Sequence, residues 1–310
     1  MPRNIPVSGD MTAVGKLRNP PFARTPDPAT LFARRAARLR ALATPGGIGP
    51  YLSFLADLAE AQARLARALP APAPMEAGRL RAALDHAMPP VDRAGFRGDA
   101  AFDALAERLF TAFQATDMPD PAARALASLR GRDARHRAAQ LGDLLQDGAT
   151  DNPAEDGFLA AALQLHFARL AAMLPEERLR PIADGVCPSC GGPSVASVIV
   201  TWDGADGARY CACAQCATLW HHVRVKCTRC GSTKGIRYQE VDSGCEGGRE
   251  TAAIKAETCD ECGSYVKIMD QRRDGGLDPF ADDVASLSLD ILMRGTAFHR
   301  GAPNPFLSGY

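Results

Sequence analysis

Four C-x-x-C units, Cys187–Cys190, Cys213–Cys216, Cys227–Cys230 and Cys259–Cys262, constrain this chain more than any other feature. Two intervening residues let one tight turn aim both sulfurs at a single ion. Three of the units run straight into glycine, in CPSCGG, CTRCGS and CDECGS, and glycine accepts the positive φ that finishes such a turn. Buried, inert cysteines would not show four equal spacings. The pattern predicts two tetrahedral sites of four thiolates each.

Sequential pairing puts Cys187, Cys190, Cys213 and Cys216 on one ion, with residues 191–212 between the pairs. Cys227, Cys230, Cys259 and Cys262 then take the second, with residues 231–258 between. Each gap is long enough for a β-hairpin. The alternative is a crossed pairing, first unit with third and second with fourth; sequential closure costs less loop entropy. Thiolate count does not separate zinc from iron. A set of four leaves no open coordination position, so neither site resembles catalytic zinc. Arg224, Lys226 and Arg229 are placed to offset part of the negative charge.

Two cysteines are left over. Cys211 lies two residues before Cys213, so the two share a face in a strand, and Cys245 sits in the loop sequence SGCEGG. Both are candidate reactive thiols, set against an incidental role, because reactivity depends on a local environment that spacing does not reveal. His221 and His222 follow Trp220 on an expected strand and point to opposite faces; a completed thiolate set needs neither. No Ser-His-Asp order, phosphate loop or dinucleotide fingerprint is present. Asp260/Glu261 and Asp282/Asp283 are adjacent and divergent, which makes them poor acid–base couples.

The rest of the chain is organised differently. Residues 1–27 carry five prolines and no helical period, and read as an extended arm. Residues 28–183 read as an all-α bundle of five to seven helices, rich in Ala, Leu and Arg. Its apolar stripes are Leu31/Leu39/Leu42, Tyr51/Leu55/Leu58/Leu65/Leu69, Phe102/Leu105/Leu109/Phe113, Leu126/Leu129 with Leu141/Leu144/Leu145 beyond a break near Gly131, and Phe158/Leu163/Phe167/Leu170/Leu174. Residues 184–222 and 223–277 are expected to be two small β-ribbons, one per four-cysteine set. Their strand-like runs are Ser197–Trp202, Ala217–Val225, Gly235–Val241, Thr251–Glu257 and Tyr265–Asp270. Residues 278–310 are expected to hold one terminal helix through Val284, Leu287, Ile291 and Leu292, with Asp282 and Asp283 near its positive N-terminal end.

Charge argues against one class of function. Lys plus Arg equals Asp plus Glu at 36 each, and residues 187–310 contain 13 basic against 15 acidic side chains. A zinc-ribbon nucleic-acid binder would need a basic surplus. No apolar run approaches the ~18–20 residues of a membrane span. With no apolar leader at the N-terminus, the expectation is a cytoplasmic protein with reduced thiols and no membrane insertion.

The segments CPSCG, RYCACAQCATLWHHVRVKCTRCG, AAIKAETCDECGSYVKIMDQ, ADDVASLSLD and NPFL, with LFARRAARLRALA, YLSFLADLAEAQA and LQLHFARLAAMLP, carry a resemblance over nearly the whole chain. The sequence resembles the formate dehydrogenase accessory protein family (FdhE). The resemblance implies an α-helical N-terminal domain followed by two rubredoxin-like four-cysteine modules that hold iron, with zinc the alternative. It implies a cytoplasmic, non-catalytic maturation factor that binds the catalytic subunit of formate dehydrogenase before export. The eight paired cysteines match the family pattern, and Cys211 and Cys245 are extra to it. The competing function is rubredoxin-like electron transfer. A client surface is expected where helices meet ribbons, at Trp220, His222, Arg224 and Tyr238, with the arginine-lined helix at Arg34–Arg38 as the second place to look.

Overall fold

The computed structural model describes residues 20–114, 118–241 and 252–307. Seven helices lie in the first half of the described residues: α1 Pro28–Leu42, α2 Gly49–Ala68, α3 Ala77–Asp85, α4 Ala100–Gln114, α5 Asp120–Gly131, α6 Ala134–Asp147 and α7 Pro153–Ala171. Proline opens α1, α2, α5 and α7 within their first two positions, where its missing N–H has no intrahelical partner to lose. α7 is buried on almost every side and forms the hub, as expected of a helix that is apolar all round. Only Ala83 of α3 is buried; with no apolar stripe, this helix leaves no period in the sequence. Asp133 separates α5 from α6 by accepting the His136 N–H at 3.0 Å.

Among the described residues eight strands form one sheet: β1 Ala23–Arg24, β2 Ser194–Ile199, β3 Arg209–Cys213, β4 Leu219–His222, β5 Ile236–Gln239, β6 Ile254–Cys259, β7 Ser264–Asp270 and β8 His299–Arg300. The order is β1-β4-β3-β2-β7-β6-β5, with β8 against β7. The two ribbons expected as separate units are joined by a parallel pairing of β2 with β7, from Ala196↔Lys267 to Ile199↔Asp270. Every residue of β2 and six of the seven in β7 are buried, which is the environment parallel pairing requires. β5 is a short edge strand with mostly exposed residues. The described part of the arm, residues 20–27, supplies β1 to the opposite edge through Ala23↔Trp220.

Two expectations need correction. β3 was not among the strand-like runs, because its arginine and cysteines mask the pattern. The single terminal helix is two, α8 Ala281–Ala285 and α9 Leu287–Met293. Ser286 breaks it, its hydroxyl donating back to the Asp282 carbonyl at 2.6 Å.

The largest apolar core ignores the helix–ribbon boundary. It runs from Phe158, Leu163 and Phe167 of α7 to Val195, Ala196, Ala212, Trp220 and Met269 of the sheet. A small second cluster joins Ala256 and Tyr265 to Leu289 and Met293 of α9. His166 packs among Phe96, Phe102 and Phe167, and burial pushes its ring pKa down.

Ion pairs tie the C-terminal segment in. Asp282 takes a two-pronged contact from Arg38 of α1 at 2.7–3.1 Å. Asp283 and Asp290 face Lys267 at 3.3 and 2.5 Å, and both also pair with Arg300. The placement of Asp282 and Asp283 is thus decided by these cations as well as by the helix terminus. No helix among the described residues is long and apolar enough to cross a membrane.

Candidate metal centres

Each C-x-x-C unit folds into the same knuckle. In the first, the Cys187 N–H donates to the Gly192 carbonyl and the Gly191 N–H to the Cys187 carbonyl, both at 2.9 Å. In the third and fourth, the Gly231 and Gly263 N–H groups reach back to Cys227 and Cys259 at 3.1 and 2.9 Å. Gly191, Gly231 and Gly263 have φ of +74°, +74° and +64°. The second knuckle has Ala217 in that position, at φ +57°, so there an alanine occupies backbone space that suits glycine.

The four knuckles meet in two sets, Cys187/Cys190/Cys213/Cys216 and Cys227/Cys230/Cys259/Cys262, each with its sulfurs within 4.8 Å of one another. The pairing is sequential, not crossed. The Cys187–Cys216 and Cys190–Cys213 sulfurs stand 3.6 and 3.5 Å apart. In the second set, Cys227–Cys262 and Cys230–Cys259 both stand at 3.7 Å. A tetrahedron with metal–sulfur bonds of ~2.3 Å has edges of ~3.8 Å. Either set could hold a metal ion, and an all-sulfur donor group selects a soft one such as zinc or iron.

Electrostatics support that fit. In the first set, burial holds Cys187 well above the ordinary thiol range. The hydrogen bond to Cys187 is the main cause that raises Cys190. Cys213 falls well below that range against its burial, because the Cys187, Cys190 and Cys216 thiols stabilise its charge. In the second set burial pushes Cys259 up to about 12. Cys262 drops to about 7 despite burial, helped by Ser264. A bound metal would let all four sulfurs of a set ionise.

The two surroundings differ. All four cysteines of the first set are buried within the main core. The helical unit grips both of its knuckles: the Val91 N–H donates to the Ser189 carbonyl at 3.0 Å, and Gln164 of α7 to the Ala214 carbonyl at 3.1 Å. In the second set Cys230 is exposed and Cys262 half-buried. The ribbons are stapled by a buried pair that spacing did not reveal, Arg209 of β3 on Glu257 of β6 at 2.7 Å.

The remaining candidates scatter. Cys211 is fully buried outside both sets, and burial pushes its thiol up to about 11. That is the setting of an inert thiol, which favours the incidental role over the reactive one. Cys245 lies outside the described residues. Trp220 and His222 are buried, so the expected client surface loses both. His222 Nε2 donates to the Lys226 carbonyl at 3.2 Å, and burial lowers its pKa to about 4. Arg224 and Tyr238 stay exposed, as do Val223 and Val225 beside them. Lys226 is engaged by Asp184 at 2.6 Å. Arg35 and Arg38 hold Asp278 and Asp282, which leaves Arg34 as the arginine of that stretch without an ion pair among the described residues.

Comparison with known proteins covers nearly all of the chain. Family models described as "FdhE, N-terminal", "FdhE, central domain" and "FdhE, C-terminal domain" match residues 20–184, 186–224 and 225–307. A "Protein FdhE homolog" of Rhizobium meliloti is 44% identical over 306 residues, 98% of this chain and 99% of the relative. Another, from Pseudomonas putida, is 37% identical over 296 residues, 93% of this chain and 91% of the relative. The crystal structure of the FdhE protein from Pseudomonas aeruginosa superposes with a TM-score of 0.83 at 33% identity, covering 93% of this chain and 99% of that one.

Proposed function

The chain belongs to the FdhE family, and on that premise we propose that it is a cytoplasmic, non-catalytic maturation factor for formate dehydrogenase. Its client is the enzyme's catalytic subunit, bound before export. The observation that carries the reading is the pair of closed four-thiolate sets built into one sheet and braced by a helical unit. Such sites stabilise a binding scaffold and offer no position for substrate. Cys187, Cys190, Cys213 and Cys216 would hold one metal, and Cys227, Cys230, Cys259 and Cys262 the other. A bound metal supplies cross-linking of the knuckles and, if it is iron, a one-electron couple. The chain's own residues position the thiolates and present a surface to the client.

The test is a bacterium deleted for this protein. Formate-dependent dye reduction should be lost, and restored by the wild-type chain but not by one lacking both cysteines of any knuckle. The catalytic subunit should co-purify with the restored protein. Full activity in the deletion strain would overturn the reading, as would formate oxidation by the isolated chain.

The exposed Cys230 favours a second reading, electron transfer through rubredoxin-like iron, since an exposed ligand shortens the path to a partner. A visible spectrum that bleaches and recovers reversibly on reduction and reoxidation would support it. A colourless zinc protein would sink it.

A further inference from the structure

The last cysteine of each set is followed two residues later by a hydroxyl side chain, Thr218 after Cys216 and Ser264 after Cys262. Thr218 Oγ1 stands 3.2 Å from the Cys216 sulfur, and Ser264 Oγ 3.0 Å from the Cys262 sulfur. Both residues are buried. The same position in the other two knuckles makes no such contact. Gly192 has no side chain there, and the Ser232 hydroxyl donates to the Lys234 carbonyl at 3.4 Å.

Other sulfurs are served by the backbone. The Gln215 and Cys216 N–H groups donate to the Cys213 sulfur at 3.4 Å, and the Arg229 N–H to the Cys227 sulfur at 3.3 Å. Those donors belong to the knuckle turn, and any residue but proline supplies them. The hydroxyls are instead a choice of side chain, placed by the local fold. The Cys213 N–H donates to the Thr218 carbonyl at 3.0 Å, and Ser264 opens β7 opposite Cys259.

In the first set the hydroxyl does not act alone. Thr218 Oγ1 also lies 2.9 Å from Ser189 Oγ, in the first knuckle, and Ser189 is fully buried. Hydrogen count sets the direction of this chain. A sulfur bonded to a metal has no hydrogen to give, so Thr218 donates to Cys216 and Ser189 donates to Thr218. Run that way, both hydroxyl hydrogens have acceptors. Run from a Cys216 thiol through Thr218 to Ser189, the chain leaves the Ser189 hydrogen without an acceptor among the described residues. Buried donors are seldom left unmade. The chain therefore suits a metal-bound sulfur.

We propose that Thr218 and Ser264 set how tightly the two centres hold their metal, each by donating its hydroxyl hydrogen to the last sulfur of its set, with Ser189 orienting Thr218. Such a bond disperses part of the thiolate's charge and fixes the direction of the ligand. Groups that support a metal ligand in this way are worth about 10–100-fold in metal affinity. The proposal rests on the reading that both four-cysteine sets bind metal.

The experiment uses the full-length protein loaded with two equivalents of zinc, and a chromophoric chelator that competes for them. Thr218→Val keeps the bulk of the side chain and removes the hydroxyl; it should weaken one equivalent at least about tenfold and leave the other as in wild type. Ser264→Ala should weaken the other equivalent by a similar factor, and the double variant should weaken both. Thr218→Ser keeps the hydroxyl and should hold both equivalents as wild type does. Ser232→Ala removes a hydroxyl that faces a carbonyl instead of a sulfur and should change neither. Unchanged affinity in Thr218→Val or in Ser264→Ala overturns the assignment for that set. A loss in Thr218→Ser as large as in Thr218→Val would trace the effect to packing, and an equal loss in Ser232→Ala to any hydroxyl nearby; either result overturns the proposal. The parent reading fails separately. Wild type that retains no zinc refutes metal binding by the sets, whereas wild type that holds two equivalents beside variants that match it refutes only the role of the hydroxyls.

Discussion

The two candidate metal centres use the same four-cysteine chemistry and sit in opposite environments. The first is sealed in the core shared by α7 and the sheet, with helical residues bonded to both of its knuckles. The second lies outside that core and shows Cys230 to solvent. Identical ligands therefore do not imply identical roles. A sealed centre holds two units together, whereas an open one can exchange its ion or meet a partner.

The sharpest way to break this comparison is to remove each centre in turn. Cys187→Ser/Cys190→Ser should lower the melting temperature of the helices and the sheet together, because both share one core; a loss of roughly 10 kcal/mol is the scale of a structural metal site. Cys259→Ser/Cys262→Ser should loosen the second ribbon and spare the helical signal. Limited proteolysis with circular dichroism reads both, and equal damage from the two variants would erase the distinction.

Next in size is the cluster that docks the C-terminal helices on β7. Lys267→Met leaves Arg300 as the one cation on Asp283 and Asp290 among the described residues, beside the Asn304 amide and the Tyr265 hydroxyl, and removing one partner of a buried ion set costs about 3–5 kcal/mol. Urea unfolding should show it, and a loss below about 1 kcal/mol would mean that the cluster does not hold the second ribbon in place.

His222 sharpens the comparison through pH. Its folded pKa of about 4 lies below the unfolded value of 6.5, so the unfolded chain binds more protons between these values. The neutral ring's contribution is complete above pH 6.5 and is lost as pH falls toward 4, by up to about 3 kcal/mol. His222→Gln should flatten that slope in denaturant titrations at fixed metal loading. An unchanged slope would show that thiolate protonation alone governs acid loss.

The smallest effect belongs to Ala217. Replacing it by glycine relieves the left-handed backbone at φ +57° and should stabilise the first centre by ~0.5–1 kcal/mol, after the added freedom of the unfolded chain is deducted. A lower denaturation midpoint would contradict the strain argument.

Much of the site was legible before any coordinates. Four equal spacings identified eight sulfurs, and glycine after three knuckles marked where φ turns positive. The apolar stripes located most helices. α3 stayed hidden because it buries one alanine, and β3 because arginine and cysteine face interiors that a period cannot distinguish. Trp220 and His222 looked like contact residues because aromatic and cationic side chains favour interfaces; packing against the helical unit and the Lys226 carbonyl buried them.

Local covalent geometry determined the ligands: a two-residue spacer admits one turn, and that turn aims two sulfurs at one point. Sequential pairing was favoured on loop entropy, but the crossed alternative remained open until the strands were placed. The parallel junction of β2 and β7, the common core and the unequal exposure of the two centres depend on contacts between residues far apart in sequence. Only the tertiary structure decided them, because burial is a property of what packs against a residue and not of its neighbours in the chain.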